Sequence, residues 1–349
     1  MKNTVIYKVI ESNPDIGIIK KCAELIKNGG VAAFPTETVY GLGADAGNAQ
    51  AVREIFKAKG RPSDNPLIVH IADMAQLKSI VSSVPEKAQR IMKTFWPGPL
   101  TLILPKNQAI PDETTAGLST VAVRMPANPI ALGLIRLSGV AIAAPSANLS
   151  GRPSPTCASH VIEDLSGRVD YIIDGGSTKV GLESTVLDMT VDPPMVLRPG
   201  GISVEMLKEA IGLVGVEKAP GKDGNAVPKS PGMKYRHYSP KAEMTLVHGE
   251  AERVVNAINA LVAQNRAQNR KTGVLASSET RDRYAADVVL CPGSRNDPGA
   301  VAASIYRCLR EFDERGVDVI FSETFPEDGL GLAIMNRLKK AAAGRMIRA

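Results

Sequence analysis

Aromatic side chains are scarce in this chain: six Phe, seven Tyr and one Trp make up 4% of its 349 residues. Any core must therefore be built mainly from Val, Ile, Leu, Met and Ala. Cysteine is rarer still. Cys22, Cys157, Cys291 and Cys308 show no paired spacing, which argues against a disulfide framework and fits reduced thiols in a cytoplasmic protein. No apolar run approaches the roughly 20 residues that span a bilayer. Met1 to Lys8 lacks the apolar core of a signal peptide. No membrane contact is expected, and the cytoplasm is the expected location. The common nucleotide fingerprints are missing as well. Gly41-Leu42-Gly43 is followed by Ala46 where a third glycine would stand, and Gly215 to Gly221-Lys222 has one spacer residue too many for a P-loop and continues with Asp223. His70, His160, His237 and His248 stand far apart, so no protein-bound metal is expected. Neither a Ser-His-Asp nor a Cys-His set announces itself. No Lys/Arg run marks a nucleic-acid groove, although a net charge of +6 admits either RNA or a small anionic substrate.

What is present suits a two-domain globular protein, with 44% hydrophobic and 22% charged residues. Through residue 215, short apolar segments read as strands: 31–34, 66–71, 100–104, 121–123, 140–144, 171–173, 185–188 and 195–197. A helix is expected over 49–57, and another beyond Ser203, which suits an N-cap. Many short strands with few helices imply a mixed, twisted sheet. Residues 216–241 break the pattern with Pro220, Gly221, Gly224, Pro228, Pro231, Gly232 and Pro240, and read as an interdomain linker. Its Lys234-Tyr235-Arg236-His237-Tyr238 run is dense in functional side chains for a passive tether. From 242 to 349, strands (244–247, 272–276, 288–291, 319–321) alternate with helices (251–263, 299–315, 333–343), which predicts a smaller parallel-sheet domain.

Three polar turns follow apolar segments in the first part: Pro35-Thr36-Glu37-Thr38-Val39-Tyr40-Gly41-Leu42-Gly43, Lys59-Gly60-Arg61-Pro62 and Ser146-Ala147-Asn148. Strand exits of this kind let backbone and small polar groups approach a ligand closely. Lys59 and Arg61, one glycine apart, can bring a point charge and a planar fork to one anion. Ser146 and Asn148 share a side of an extended segment, and Arg198 adds a cation at a strand end. Thr38, His70, Arg124 and Ser184 sit at or beside strand ends, with Ala144 supplying backbone; Arg124 there suits a carboxylate. Taken singly, each cation also fits a solvated surface charge and His70 a core histidine.

The segments PTETVYGLG, KGRPSDNPL, WPGPLT, AVRMP, APSANLSG, GLESTV and LRPG, in this order, resemble the Sua5/YrdC/YwlC family of threonylcarbamoyl-AMP synthases. SPGMKYRHY and GLGLA, at 230–238 and 329–333, resemble its longer, two-domain Sua5 type. The resemblance implies an α/β architecture: an open, twisted, mixed YrdC-like sheet with a large concave surface over residues 1–215, then a linker or lid over 216–241. A smaller Rossmann-like, parallel-sheet Sua5 domain follows over 242–349. It implies L-threonine contacts from Thr38, His70, Arg124, Ala144 and Ser184. It implies ATP contacts from Lys59, Arg61, Asn65, Thr120, Ser146, Asn148, Ser154 and Arg198, with His237, Tyr235 or Tyr238 closing from the linker. Lys59 and Arg61 are the catalytic pair on this reading.

The implied reaction joins L-threonine, bicarbonate and ATP to give L-threonylcarbamoyl-AMP, diphosphate and water, the first step toward threonylcarbamoyladenosine in tRNA. Mg²⁺ is the expected companion of ATP, and a separate transferase machinery would use the product. Direct contact with tRNA or double-stranded RNA is a further possible partnership. Two other classes remain open: a non-catalytic binder of structured RNA, and a carbamoyltransferase-type enzyme that uses carbamoyl phosphate. Threonine-dependent release of diphosphate separates the synthase from both.

Overall fold

The computed structural model describes residues 2–217 and 238–349. They form two compact units: residues 2–150 with 155–217, and residues 151–154 with 238–349. The strands of the first unit are β1 (Val5–Lys8), β2 (Ala32–Phe34), β3 (Gly41–Asp45), β4 (Ile68–His70), β5 (Leu100–Pro105), β6 (Thr120–Arg124), β7 (Ile142–Ala143), β8 (Tyr171–Asp174), β9 (Thr185–Asp188), β10 (Met195–Arg198) and β11 (Gly215–Val216). Among the described residues they make one eleven-stranded sheet in the order β1-β8-β2-β3-β7-β4-β6-β5-β9-β10-β11. Parallel pairs (β4 with β6, β5 with β9) alternate with antiparallel ones (β2 with β3, β5 with β6), so the sheet is mixed, as expected.

The two glycines after Tyr40 do not break the chain there. Gly41–Asp45 forms β3, which returns antiparallel along β2 with Gly43 opposite Ala32. Crowding explains the glycine, because a Cβ on Gly43 would lie 2.6 Å from both the Phe34 ring and the Ile142 side chain. The loop Pro35–Tyr40 is therefore a hairpin connection held at both ends by paired strands.

Helices are more frequent than the sequence reading allowed. They are α1 (Ile16–Lys27), α2 (Ala49–Lys59), α3 (Met74–Ile80), α4 (Glu86–Phe95), α5 (Asp112–Thr115), α6 (Pro129–Ser138), α7 (Ala158–Leu165) and α8 (Val204–Ile211). Asp15 caps α1 by accepting from Ile18 N at 3.1 Å, and Ile19, Cys22, Ala23 and Ile26 face inward at helical spacing. These residues share a core with Ile130, Ala131, Leu134 and Ile135 of α6. Each fully buried Ile or Leu there contributes about 1.5–3 kcal/mol. Asn48 caps α2, whose far end stops at Gly60 with φ +60°, a left-handed residue that turns the chain just after Lys59.

The second unit contains β12 (Glu243–His248), α9 (Ala251–Arg266), β13 (Thr272–Leu275), β14 (Val288–Leu290), α10 (Pro298–Glu314), β15 (Val319–Glu323), α11 (Gly331–Ala341) and β16 (Met346–Arg348). All five strands run parallel, in the order β14-β13-β15-β12-β16. The segment Gly151–Ser154, from the middle of the first unit's sequence, belongs here. Arg310, 1% exposed, donates from Nε and Nη2 to the Pro153 carbonyl at 3.2 and 2.7 Å, and Ser239 N reaches the Gly151 carbonyl at 3.0 Å. Tyr238 stacks on Tyr306 with ring centroids 5.3 Å apart. Gly329-Leu330-Gly331 leads into α11; a Cβ on Gly331 would meet the Pro326 carbonyl at 2.0 Å, so the close turn explains that glycine.

Candidate active site

Strand register lines up one row of polar side chains across the first unit's sheet. His70 ends β4 directly opposite Arg124, the last residue of β6. On the other side of β6, Arg124 faces Thr101 of β5. Thr101 Oγ1 lies 2.7 Å from Ser184 Oγ, just before β9. Arg198, at the end of β10, donates to the Ser184 carbonyl from Nε at 3.1 Å and Nη2 at 3.0 Å. Ala144, following β7, lies two residues off this row, its amide on the Ile68 carbonyl at 2.9 Å, the same carbonyl that the His70 ring approaches. Thr38 joins from the hairpin loop, its Oγ1 accepting from Arg124 Nη1 at 2.9 Å. The structure thus brings together all five residues expected at the amino acid, and sets Arg198, expected at ATP, against one of them.

The row is buried, and burial sets its electrostatics. Arg124 is 3% exposed, with Nε donating to the Gly98 carbonyl at 3.2 Å and Glu37 as its counter-charge. His70 is pushed down to about 3, first by desolvation and then by the nearby Arg124 guanidinium. Its Nδ1 lies 3.1 Å from the Ile68 carbonyl and its ring meets Phe34 edge to face. His70 is therefore neutral at pH 7, a packed polar wall beside a cation.

A second cluster forms where α2 ends. Lys59, 3% exposed, donates from Nζ to the carbonyls of Ser146 and Asn148 at 2.5 and 2.6 Å. Ser146 Oγ donates to Asn148 Oδ1 at 2.6 Å, and Ser150 N returns to the Lys59 carbonyl at 3.1 Å. The same turn is sewn to the hairpin loop: Ala147 N donates to the Tyr40 carbonyl at 2.8 Å, and Leu42 N to that of Pro145 at 2.9 Å. Lys59 therefore organises the Ser146–Asn148 turn through backbone carbonyls while lending it a buried positive charge. Arg61 is also buried, two residues beyond Lys59 and past the left-handed Gly60.

The family described as Sua5_yciO_yrdC, "Telomere recombination", matches residues 24–200, and the "Threonylcarbamoyl-AMP synthase, C-terminal domain" family matches 202–343. The chain belongs to the Sua5/YciO/YrdC family. A Bacillus subtilis relative named threonylcarbamoyl-AMP synthase is 54% identical over 95% of this chain and 94% of its own. One of the same name from Pyrococcus abyssi is 50% identical over 95% of both chains. The solved structure of P. abyssi Sua5 complexed with L-threonine is similar with a TM-score of 0.94 at 48% identity, covering 99% of each chain.

The remaining residues carried over from the Sua5 resemblance are placed less tightly. Asn65 is fully buried between α2 and β4, and neither end of its amide has a partner among the described residues. Thr120 opens β6 opposite Pro105. Ser154 belongs to the second unit, and His237 and Tyr235 lie outside the described residues. Among the described residues no group of three His, Cys, Asp or Glu side chains is placed to hold a metal, and no helix is long and apolar enough to cross a membrane. An apolar cavity of about 650 Å³, lined by Met74, Leu77, Met92, Trp96 and Met125, includes none of the expected site residues. Sequence reasoning passed over Glu37 and Thr101. Both meet Arg124, Thr101 by strand pairing and Glu37 from the hairpin loop, and neither contact is visible in composition.

Proposed function

We infer that this chain is a threonylcarbamoyl-AMP synthase, which converts L-threonine, bicarbonate and ATP into L-threonylcarbamoyl-AMP, diphosphate and water. The observation that carries the reading is the pair of buried cationic centres in one unit. Arg124 ends a strand within the row His70, Thr38 and Ser184, and Lys59 is locked into the Ser146–Asn148 turn. Relatives that bear this name match the chain nearly end to end, and the similar P. abyssi structure holds L-threonine.

The chemistry asks for positioning. The threonine nitrogen takes up a carboxyl group, with water leaving, and becomes a carbamate. A carbamate oxygen then attacks the α-phosphorus of ATP and diphosphate departs. Carbamate and triphosphate repel one another, so Arg124 at the amino acid and Lys59, Arg61 and Arg198 around the nucleotide lower the cost of bringing them together. Lys59 contributes charge and a fixed turn, since its ammonium is already bonded to two carbonyls. Asn65 and Ser146 offer polar groups to the nucleotide. With no protein ligand cluster among the described residues, Mg²⁺ belongs to this reading only as a companion of the ATP phosphates. The lid expected over residues 216–241 to keep water from the carbamate falls mostly outside the described residues, and the product feeds a transferase acting on tRNA.

Purified protein supplied with ATP, bicarbonate and L-threonine is expected to release diphosphate in proportion to added threonine. Release at the same rate without threonine would overturn the reading.

A further inference from the structure

Glu37 lies inside the site without an assigned task. It stands between Thr36 and Thr38 in the hairpin loop and is 7% exposed. Its Oε1 lies 2.6 Å from Arg124 Nη2, an ion pair by distance, yet neither atom makes an aligned hydrogen bond among the described residues. Oε2 has no hydrogen-bond partner there either. The loop itself is firmly held: Thr36 Oγ1 donates to the Val39 carbonyl at 2.6 Å, Val180 N to the Glu37 carbonyl at 2.8 Å, and Gly181 N to that of Thr38 at 3.1 Å. A buried ion pair is costly unless its remaining donors and acceptors are used. Here a guanidinium N–H and a carboxylate remain side by side, within a neutral wall formed by His70 and the Thr hydroxyls.

The chemical complement of that arrangement is a zwitterion whose two charges flank one carbon. We propose that Glu37 receives the ammonium group of the amino-acid substrate while Arg124 receives its carboxylate. The inference rests on the synthase reading and deepens it: the pair reads an α-amino acid by both charges and holds in place the nitrogen that is to be carboxylated. Acids that lack the amine leave Glu37 buried and unmatched, which costs more than the lost contact alone.

Titration calorimetry of the full chain with L-threonine and with (R)-3-hydroxybutanoate, its counterpart without the amine, tests this. A hydrogen bond between charged groups corresponds to about tenfold to a hundredfold in affinity, so the wild type should bind the amine-free acid weaker by that factor. Glu37→Gln should weaken threonine binding toward the level of that acid and should not weaken the acid itself. Equal affinity of the wild type for both ligands would overturn the proposal. So would a Glu37→Gln variant that weakens both ligands alike, since Glu37 would then only prop Arg124. If that variant does not fold, Glu37→Asp, which keeps the charge but draws it back by one carbon, takes its place and should weaken threonine without weakening the acid. Failure of the wild type to bind threonine at all would remove the synthase reading, and this inference with it.

Discussion

Lys59 joins two tasks in one atom. Its Nζ ties down the carbonyls of Ser146 and Asn148, and its charge stays at the turn where the nucleotide is expected. Lys59→Met keeps an apolar stem but frees both carbonyls, which costs about 1–3 kcal/mol in stability. Loss of an electrostatic contact to the reacting phosphates lowers kcat by about 10²–10³-fold. Urea unfolding and diphosphate release measure the two effects separately. His70 has a different signature. Unfolded, it titrates near its ordinary 6.5; folded, burial and then Arg124 hold it down to about 3. Between those values only the unfolded chain takes up the proton, so this contribution to stability is complete above pH 6.5. It falls with acidification by up to about 1.4 kcal/mol per pH unit. His70→Asn should show a flatter loss of stability than the wild type in denaturant titrations between pH 7 and pH 5.

At the scale of elements, β5, β6, β9 and β10 were legible because their apolar residues are bounded by Pro, Gly or charge, as Val121-Ala122-Val123 is by Arg124. Helix α1 was legible in principle, with Asp15 as cap and Ile19, Cys22 and Ile26 on one face, yet no motif drew attention to it. Strand β3 was hidden for a physical reason. Its glycines argue for a break in isolation and are required only because Phe34 and Ile142 crowd Gly43 from neighbouring strands. The site divided likewise: the cationic turns stood out in one dimension, whereas the Glu37–Arg124 pair exists only once the hairpin loop meets the end of β6. Gly43→Ala tests the crowding. It should cost about 1–3 kcal/mol by overpacking, read as a lower urea midpoint, while Gly47→Ala, whose nearest neighbour is the Asp45 carboxylate at 3.5 Å, should cost less.

At the scale of the whole molecule, the two units do not divide the sequence at a single point. Gly151–Ser154 packs with the second unit, where Arg310 meets the Pro153 carbonyl. A fragment ending at Glu217 should therefore keep slow amide exchange in β4, β5 and β6 while exchange at residues 151–154 rises, compared by mass spectrometry with the full chain. Unchanged protection at 151–154 would count against Arg310 as their anchor. The same four residues impose an order of events during synthesis. A ribosome working at roughly 5–20 residues per second needs roughly eight to thirty seconds to travel from Ser154 to Arg310. Once β11 has also been made, the nascent chain can already hold its large sheet, while the stretch just past Asn148 still waits for an arginine that has not yet been made.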